Sequence, residues 1–351
     1  MKATVFHGPR DVRVERVPDP EIKSASDAIV RITRAAICGS DLHFYHGEMP
    51  VAPGFVLGHE GVGVVEDIGS GVTQLRKGQR VVVSGLVACG NCFYCRRGQP
   101  SQCAVAGSAV FGYGKNAAGK LGDIGGEQSE AIAVPMADYT CYPLPEGVDD
   151  DAAVFLADIL PTAFFGALNG EIRPGDTVAI FGCGPVGLCA ILAAQLFGPA
   201  EVIAVDSLPY RLELARTLGA TAVTLAETKQ KILDRTDGRG ADVTIEAVGN
   251  QGALDASFEN VRGGGTVSMV GVLGQPSYNF PMMLAFQRDL TFRVGLANIR
   301  AHIPQLATLI EHRRIDPRPI ISHTLDLDET ARGYQIFDAR TEGAVKILIK
   351  P

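Results

Sequence analysis

A chain of 351 residues with 39 acidic against 32 basic side chains carries a net charge of −7, and at about 150 residues per domain it divides into two. With 46% hydrophobic and 20% charged residues, it lies far from disordered or fibrous compositions. The acidic balance offers no basic stripe for a phosphate backbone, so nucleic acid is excluded as an expected partner.

The N-terminal stretch MKATVFHGPRD lacks the apolar core of a signal peptide. The longest apolar run, Val186 to Phe197, is interrupted by Gln195 and is shorter than the about 20 residues that a bilayer requires. A soluble cytoplasmic protein with no membrane partner is expected. Its eight cysteines then stay reduced, and their clustering points to metal or catalysis rather than to disulfides.

Up to about Asp150 the chain is rich in Val and Gly, with short alternating runs such as Val62 to Ile68 and Arg80 to Ser84. That pattern predicts a β-rich barrel or sandwich. Cys89, Cys92, Cys95 and Cys103 follow C-x2-C-x2-C-x7-C. Four thiolates at this spacing suit a structural zinc in a lobe spanning 85–105, with an iron-sulfur cluster as the chemical competitor. Pro143 and Pro145 punctuate the end of the region.

Beyond it strands alternate with helices: Thr177 to Gly182, a helix over Val186 to Phe197, Glu201 to Asp206, and a helix over Pro209 to Leu218. Strands at Asp242 to Val248 and Gly265 to Val272 follow, with a helix around Gly252 to Val261 between them. This rhythm predicts an α/β unit with a doubly wound parallel sheet, of the Rossmann kind. Gly182-Cys183-Gly184-Pro185-Val186-Gly187 fits G-x-G-x-x-G between a strand and a helix, and Asp206 ends the next strand. In that context Gly182 makes the turn, Gly184 lets the backbone approach a pyrophosphate, and Gly187 packs helix on strand. The pyrophosphate then meets the helix N-terminus at Pro185 and Val186. Asp206 accepts from ribose hydroxyls and repels a 2′-phosphate, which favours NAD over NADP, while Arg211 covers the adenine side or attracts a phosphate. Thr162, Val248, Val270 and Val272 fall where such a sheet meets its ligand and are candidate cofactor contacts. After Gly295 one further helix, Ile303 to Arg313, and a final strand, Ala344 to Ile349, are expected to pack back on the first domain. The expected organisation is a catalytic domain over residues 1–152, a cofactor domain over 153–295, and a return over 296–351.

Cys38-Gly39-Ser40-Asp41-Leu42-His43 and Gly58-His59-Glu60 remain. Together with the cysteine lobe and the glycine turn, they resemble the zinc-dependent alcohol dehydrogenases of the medium-chain dehydrogenase/reductase superfamily, from Ala3 through Lys350. The resemblance implies a GroES-like catalytic domain, NAD, and two zinc ions per chain, one catalytic and one structural. Cys38 and His59 match two ligands of the catalytic zinc, and Glu60 matches the neighbouring carboxylate. Asp158 stands where many members have a third, cysteine ligand, as in some bacterial relatives. Asp158 is preferred over Glu60 as that ligand, which keeps one coordination position open. Ser40 matches the hydroxyl that takes the alcohol proton, and His43 the solvent end of the relay. The implied reaction is hydride transfer between a primary or secondary alcohol, or its carbonyl, and NAD. A polyol dehydrogenase, an aldehyde dismutase and an inactive nucleotide-binding protein are the alternatives. A homotetramer, or a dimer, is the expected assembly. Gly85 near the lobe suggests room for substrate.

Overall fold

The computed structural model describes residues 1–49, 51–114, 119–272 and 277–351. Its contacts divide the chain into Met1–Pro161 with Asn298–Pro351, and Thr162–Ala297.

The first unit is built on short, Val-rich strands. β1 (Lys2–Gly8) lies between β2 (Asp11–Arg16) and β4 (Phe55–Val56) in a three-stranded sheet. A larger sheet is centred on β3 (Ala28–Ile37) and β5 (Gly61–Ile68), which pair antiparallel. It continues through β6 (Arg80–Val83) to β8 (Cys141–Pro143), while β7 (Ala131–Val134) also pairs with β3. On the other flank β16 (Lys346–Lys350) runs antiparallel to β3, with Ile347 opposite Ile37, and parallel to β15 (Ile321–Asp326). The C-terminal segment therefore completes the sheet begun by the N-terminal residues. Phe6, Phe44 and Phe55 pack with ring centroids 5.3–6.5 Å apart in the core of this unit.

The second unit is one six-stranded parallel sheet in the order β11-β10-β9-β12-β13-β14. These are β9 (Thr177–Phe181), β10 (Glu201–Asp206), β11 (Thr221–Thr224), β12 (Ala241–Glu246), β13 (Val261–Met269) and β14 (Thr291–Val294). Counted within the unit, the order is 3-2-1-4-5-6, and the winding reverses between β9 and β12. All five residues of β9 are buried, because helices cover both faces of a parallel sheet. The helix Pro185–Gln195 starts on a proline, whose missing N–H and fixed φ suit the first helical position. The helix Gln251–Asn260 is capped by Asn250, whose side chain accepts from the Ala253 N–H at 2.9 Å.

Several elements depart from expectation. The strands β11 and β14 and the helix Thr228–Asp234 carry too little apolar pattern to be read: β14 is an edge strand with three of its four residues exposed. The tail holds two helices rather than one, Ile299–Glu311 and Thr330–Ala339. The second is disguised by Gly333, which stands close to Ile37: a Cβ there would lie 2.9 Å from the Ile37 side chain. Asp326 and Glu329 form a reciprocal capping box on the 3-10 turn Leu327–Glu329, which leads directly into this helix. The helical turns over Asp150–Ala157 pack on β3, β5 and β6, so the contact division falls at Pro161 rather than at residue 152.

Candidate active site

The loop after β3 carries Cys38 and Ser40, Asp41 opens the short helix Asp41–Tyr45, the turn before β5 carries His59 and Glu60, and Asp158 follows the 3-10 turn Val154–Ala157. Sulfur, imidazole nitrogen and carboxylate oxygen of Cys38, His59 and Asp158 lie within 4.8 Å of one another. His59 Nε2 is 3.4 Å and Cys38 Sγ 3.6 Å from Asp158 Oδ2. A tetrahedral zinc with bonds of about 2.3 Å to sulfur and about 2.0–2.2 Å to nitrogen and oxygen sets those edges at about 3.4 and about 3.6 Å. The donor set and its spacing therefore fit zinc, with one position left over.

Surrounding groups hold this set in place. Asp41 Oδ1 lies 3.3 Å from His59 Nδ1, and Asp41 Oδ2 accepts from the Cys38 N–H at 3.0 Å and from Gln128 Nε2 at 3.3 Å. Tyr334 in turn donates to Gln128 Oε1 at 3.1 Å. Buried hydrogen bonds thus hold Asp41, and its Oδ1 faces the imidazole from behind as a close ion-pair contact, where a metal-ligating histidine usually meets a carboxylate. Burial pulls the His59 pKa down, but the Asp41 carboxylate and Cys38 outweigh it and leave the group well above its ordinary value. Burial, with Glu60 nearby, raises the Cys38 thiol, and burial pushes Tyr113 up to about 12. Ligand deprotonation must accompany metal binding at such a site.

The structure treats the remaining expected residues differently. Glu60 is fully buried and pairs through Oε2 with the equally buried Lys346, which also donates to the Ile37 carbonyl. It stands outside the three-donor cluster. Ser40 Oγ lies 3.1 Å from His59 Nε2, on the cluster itself. His43 is only 18% exposed, with Nδ1 2.5 Å from Glu48 Oε2, so a carboxylate rather than open solvent faces that nitrogen. Gly85 provides no room: a Cβ there would lie 2.5 Å from the His59 carbonyl oxygen, so its smallness serves the close approach of two backbones. Asp41, Gln128, Tyr334, Lys346 and Glu48 were not foreseen; of these only Asp41, three residues after Cys38, had a local signal.

Sulfurs of Cys89, Cys92, Cys95 and Cys103 all lie within 4.8 Å of one another. N–H groups of Cys95 and Ala104 lower Cys92 to about 6, which supplies a thiolate at neutral pH. Ser101, in the same lobe, donates to Asn298 Oδ1 at 2.8 Å. These four donors fit a closed structural zinc.

In the nucleotide unit Gly182 turns the chain with φ +94°. A Cβ on Gly187 would lie 1.7 Å from the Gly182 carbonyl oxygen, so no other residue fits at that crossing. Asp206 is buried; its carboxylate accepts from the Cys183 N–H at 2.7 Å, Ser207 at 2.7 Å and Leu208 at 2.9 Å. Arg211 Nη1 stands 4.0 Å from Asp206 Oδ2. Val248 and Val272 are 46% and 44% exposed at the carboxyl ends of their strands, whereas Val270 is buried. Thr162 opens this unit and is half-buried.

Comparison with known proteins joins these separate observations. The alcohol dehydrogenase GroES-like domain family matches residues 24–146, and the zinc-binding dehydrogenase family matches 185–312. A zinc-type alcohol dehydrogenase-like protein, AdhB, of Bacillus subtilis (strain 168) is 37% identical over all of both chains. An alcohol dehydrogenase of Cupriavidus necator is 36% identical over all of this chain and 99% of its own. The structure of alcohol dehydrogenase TADH from Thermus sp. ATN1 superposes with a TM-score of 0.92 at 42% identity, covering 100% of this chain and 99% of that one. With a GroES-like β unit, a parallel dinucleotide-type sheet and relatives matched end to end, the chain belongs to the zinc-type alcohol dehydrogenase family.

Proposed function

We propose that this zinc-dependent alcohol oxidoreductase uses NAD, and that Cys38, His59 and Asp158 hold its catalytic zinc. The three-donor cluster at tetrahedral spacing carries the reading. Bound zinc supplies Lewis acidity that brings an alcohol hydroxyl's pKa toward neutrality, and bound NAD accepts the hydride. The chain's own residues do the rest. Asp41 fixes the His59 ring, Ser40 places a hydroxyl on the donor cluster to take up the substrate proton, and Glu48 orients His43 as the next group able to carry it. Lys346 holds Glu60 by an ion pair, which leaves the third donor to Asp158.

In the nucleotide unit the N-terminus of the helix Pro185–Gln195 faces the glycine turn, where its free N–H groups and dipole suit a pyrophosphate. Three backbone N–H groups fix the Asp206 carboxylate at the end of β10, where it meets ribose hydroxyls and repels a 2′-phosphate. This supports NAD over NADP, and Gly182, Gly184, Pro185, Val186 and Gly187 as its cradle. The edge of β14, with exposed Val294, Leu296, Met282, Met283 and Phe286 in the same unit, supports self-assembly through strand pairing between copies.

Asp158→Ala tests the assignment. Alcohol oxidation should fall at least a hundredfold and zinc should drop from about two to about one per chain, with NADH binding retained. An active variant with both zinc ions would move the third ligand to Glu60.

A further inference from the structure

The nucleotide unit contains a buried carboxyl that the mechanism leaves unused. Glu246 ends β12 with no exposed surface. Its Oε1 accepts two N–H groups, from Val248 and Gly249, each at 2.8 Å. Its backbone carbonyl accepts two more, from Val270 at 2.9 Å and Gly271 at 3.1 Å. Among the described residues Oε2 is buried with no hydrogen-bond partner. One residue therefore clasps two turns, at the carboxyl ends of β12 and β13. The packing leaves no slack: a Cβ on Gly271 would lie 2.5 Å from Glu246 Oε2 and 2.2 Å from the Gly249 nitrogen, and one on Gly249 would lie 2.0 Å from the Val272 carbonyl oxygen. These turns present half-exposed Val248 and Val272, and Val248 Cγ2 reaches the glycine turn, 2.5 Å from where a Gly182 Cβ would stand.

We propose that Glu246 is a positioning residue of the nucleotide site, shaping the Val248–Gly249 and Gly271–Val272 turns, and that its proton state is linked to occupancy by the dinucleotide. This rests on the reading that the unit binds NAD. Burial lifts the Glu246 carboxyl to about 7 against the opposing pull of the Gly249, Val248 and Gly271 N–H groups. Among the described residues only those backbone groups and burial act on it, with no basic or second acidic side chain contributing. A pKa raised above its unfolded value adds stability that is complete below about pH 4.5 and is lost as pH rises through about 7. A dinucleotide lying across the strand ends removes water and brings the negative charge of its pyrophosphate. Both changes disfavour a carboxylate whose Oε2 makes no hydrogen bond among the described residues. Occupancy thus favours the neutral acid, and by reciprocity the neutral acid favours occupancy.

The test is NADH binding by fluorescence on the zinc-loaded full chain, from about pH 6 to about pH 8.5. Wild type should bind about tenfold more weakly at the upper end, which corresponds to a shift of about one unit on binding. Glu246→Gln, neutral and isosteric, should lose most of that dependence and keep the affinity of the low-pH wild type. Glu246→Ala should bind weakly at every pH, because the two turns lose their clasp. Equal pH slopes in wild type and Glu246→Gln overturn this inference alone; no NADH binding by wild type at any pH overturns the cofactor reading and this inference with it. Should the Gln variant not fold, calorimetry of wild type in two buffers of different ionisation enthalpy decides. Net proton uptake on NADH binding near pH 7 supports the linkage, and its absence overturns it.

Discussion

Lys346 has no exposed surface, and the carboxylate it meets, Glu60, has none either. Such a pair contributes little net stability when complete, but losing one partner strands a charge at a cost of about 3–5 kcal/mol. Lys346→Met should therefore lower stability by that order in a denaturant titration, and Glu60→Gln added to it should recover most of the loss. A single variant as stable as its parent would show that the two groups do not depend on each other. The pair also shows what sequence reading reaches at this scale. Cys38 and His59 sit in short motifs that suggest a metal site once joined to the cysteine lobe and the glycine turn, Asp206 ends the strand after that turn, and Asp158 was reached only through the family resemblance. Lys346, Tyr334 and Glu48 carry no such signal, and Lys346 finds Glu60 across 286 residues of chain. Gly85 was misread because a small residue beside a site looks like space, when the backbone of His59 occupies it.

Elements buried on both sides were the legible ones. β9, β10 and β12 are apolar runs ended by glycine or acidic residues, and the turn at Gly182 to Gly187 declares itself by spacing. Edge elements were not: β11 and β14 need little apolar surface because one side of each has no neighbour. The helix Thr330–Ala339 was hidden by Gly333, whose reason lies in β3 rather than in its own helix. The cysteine lobe has little regular structure among its described residues beyond two short turns, Phe93–Arg96 and Pro100–Gln102, so a zinc held by its four thiols would supply much of its order. Cys92→Ser should reduce zinc from about two to about one per chain and open the lobe to protease. Retention of both zinc ions would assign the four thiols another role. Because Ser101 holds Asn298 at the start of the return segment, the loosened lobe should also raise hydrogen exchange in the helix Ile299–Glu311.

At the scale of the molecule, two units carry separate halves of the chemistry: donors for a metal in one, and a cradle for a nucleotide in the other. Among the described residues no single helix is long and apolar enough to cross a membrane; one bent pair, Asp150–Ala157 with Ile159–Asn169, meets that test by length and composition only. The exposed edge of β14 and the apolar side chains beside it are the surface that self-assembly would cover. Val294→Asp places like charges across such a pairing and should reduce the mass seen by light scattering to that of a smaller assembly. An unchanged mass would move the interface elsewhere. The central claim joins both units and is tested most directly by one measurement: NADH formation by the zinc-loaded chain over a panel of primary, secondary and polyhydric alcohols, with NADP run in parallel. The account predicts turnover with NAD on at least one alcohol and much slower turnover with NADP. No oxidation of any alcohol by protein that retains both zinc ions would contradict it.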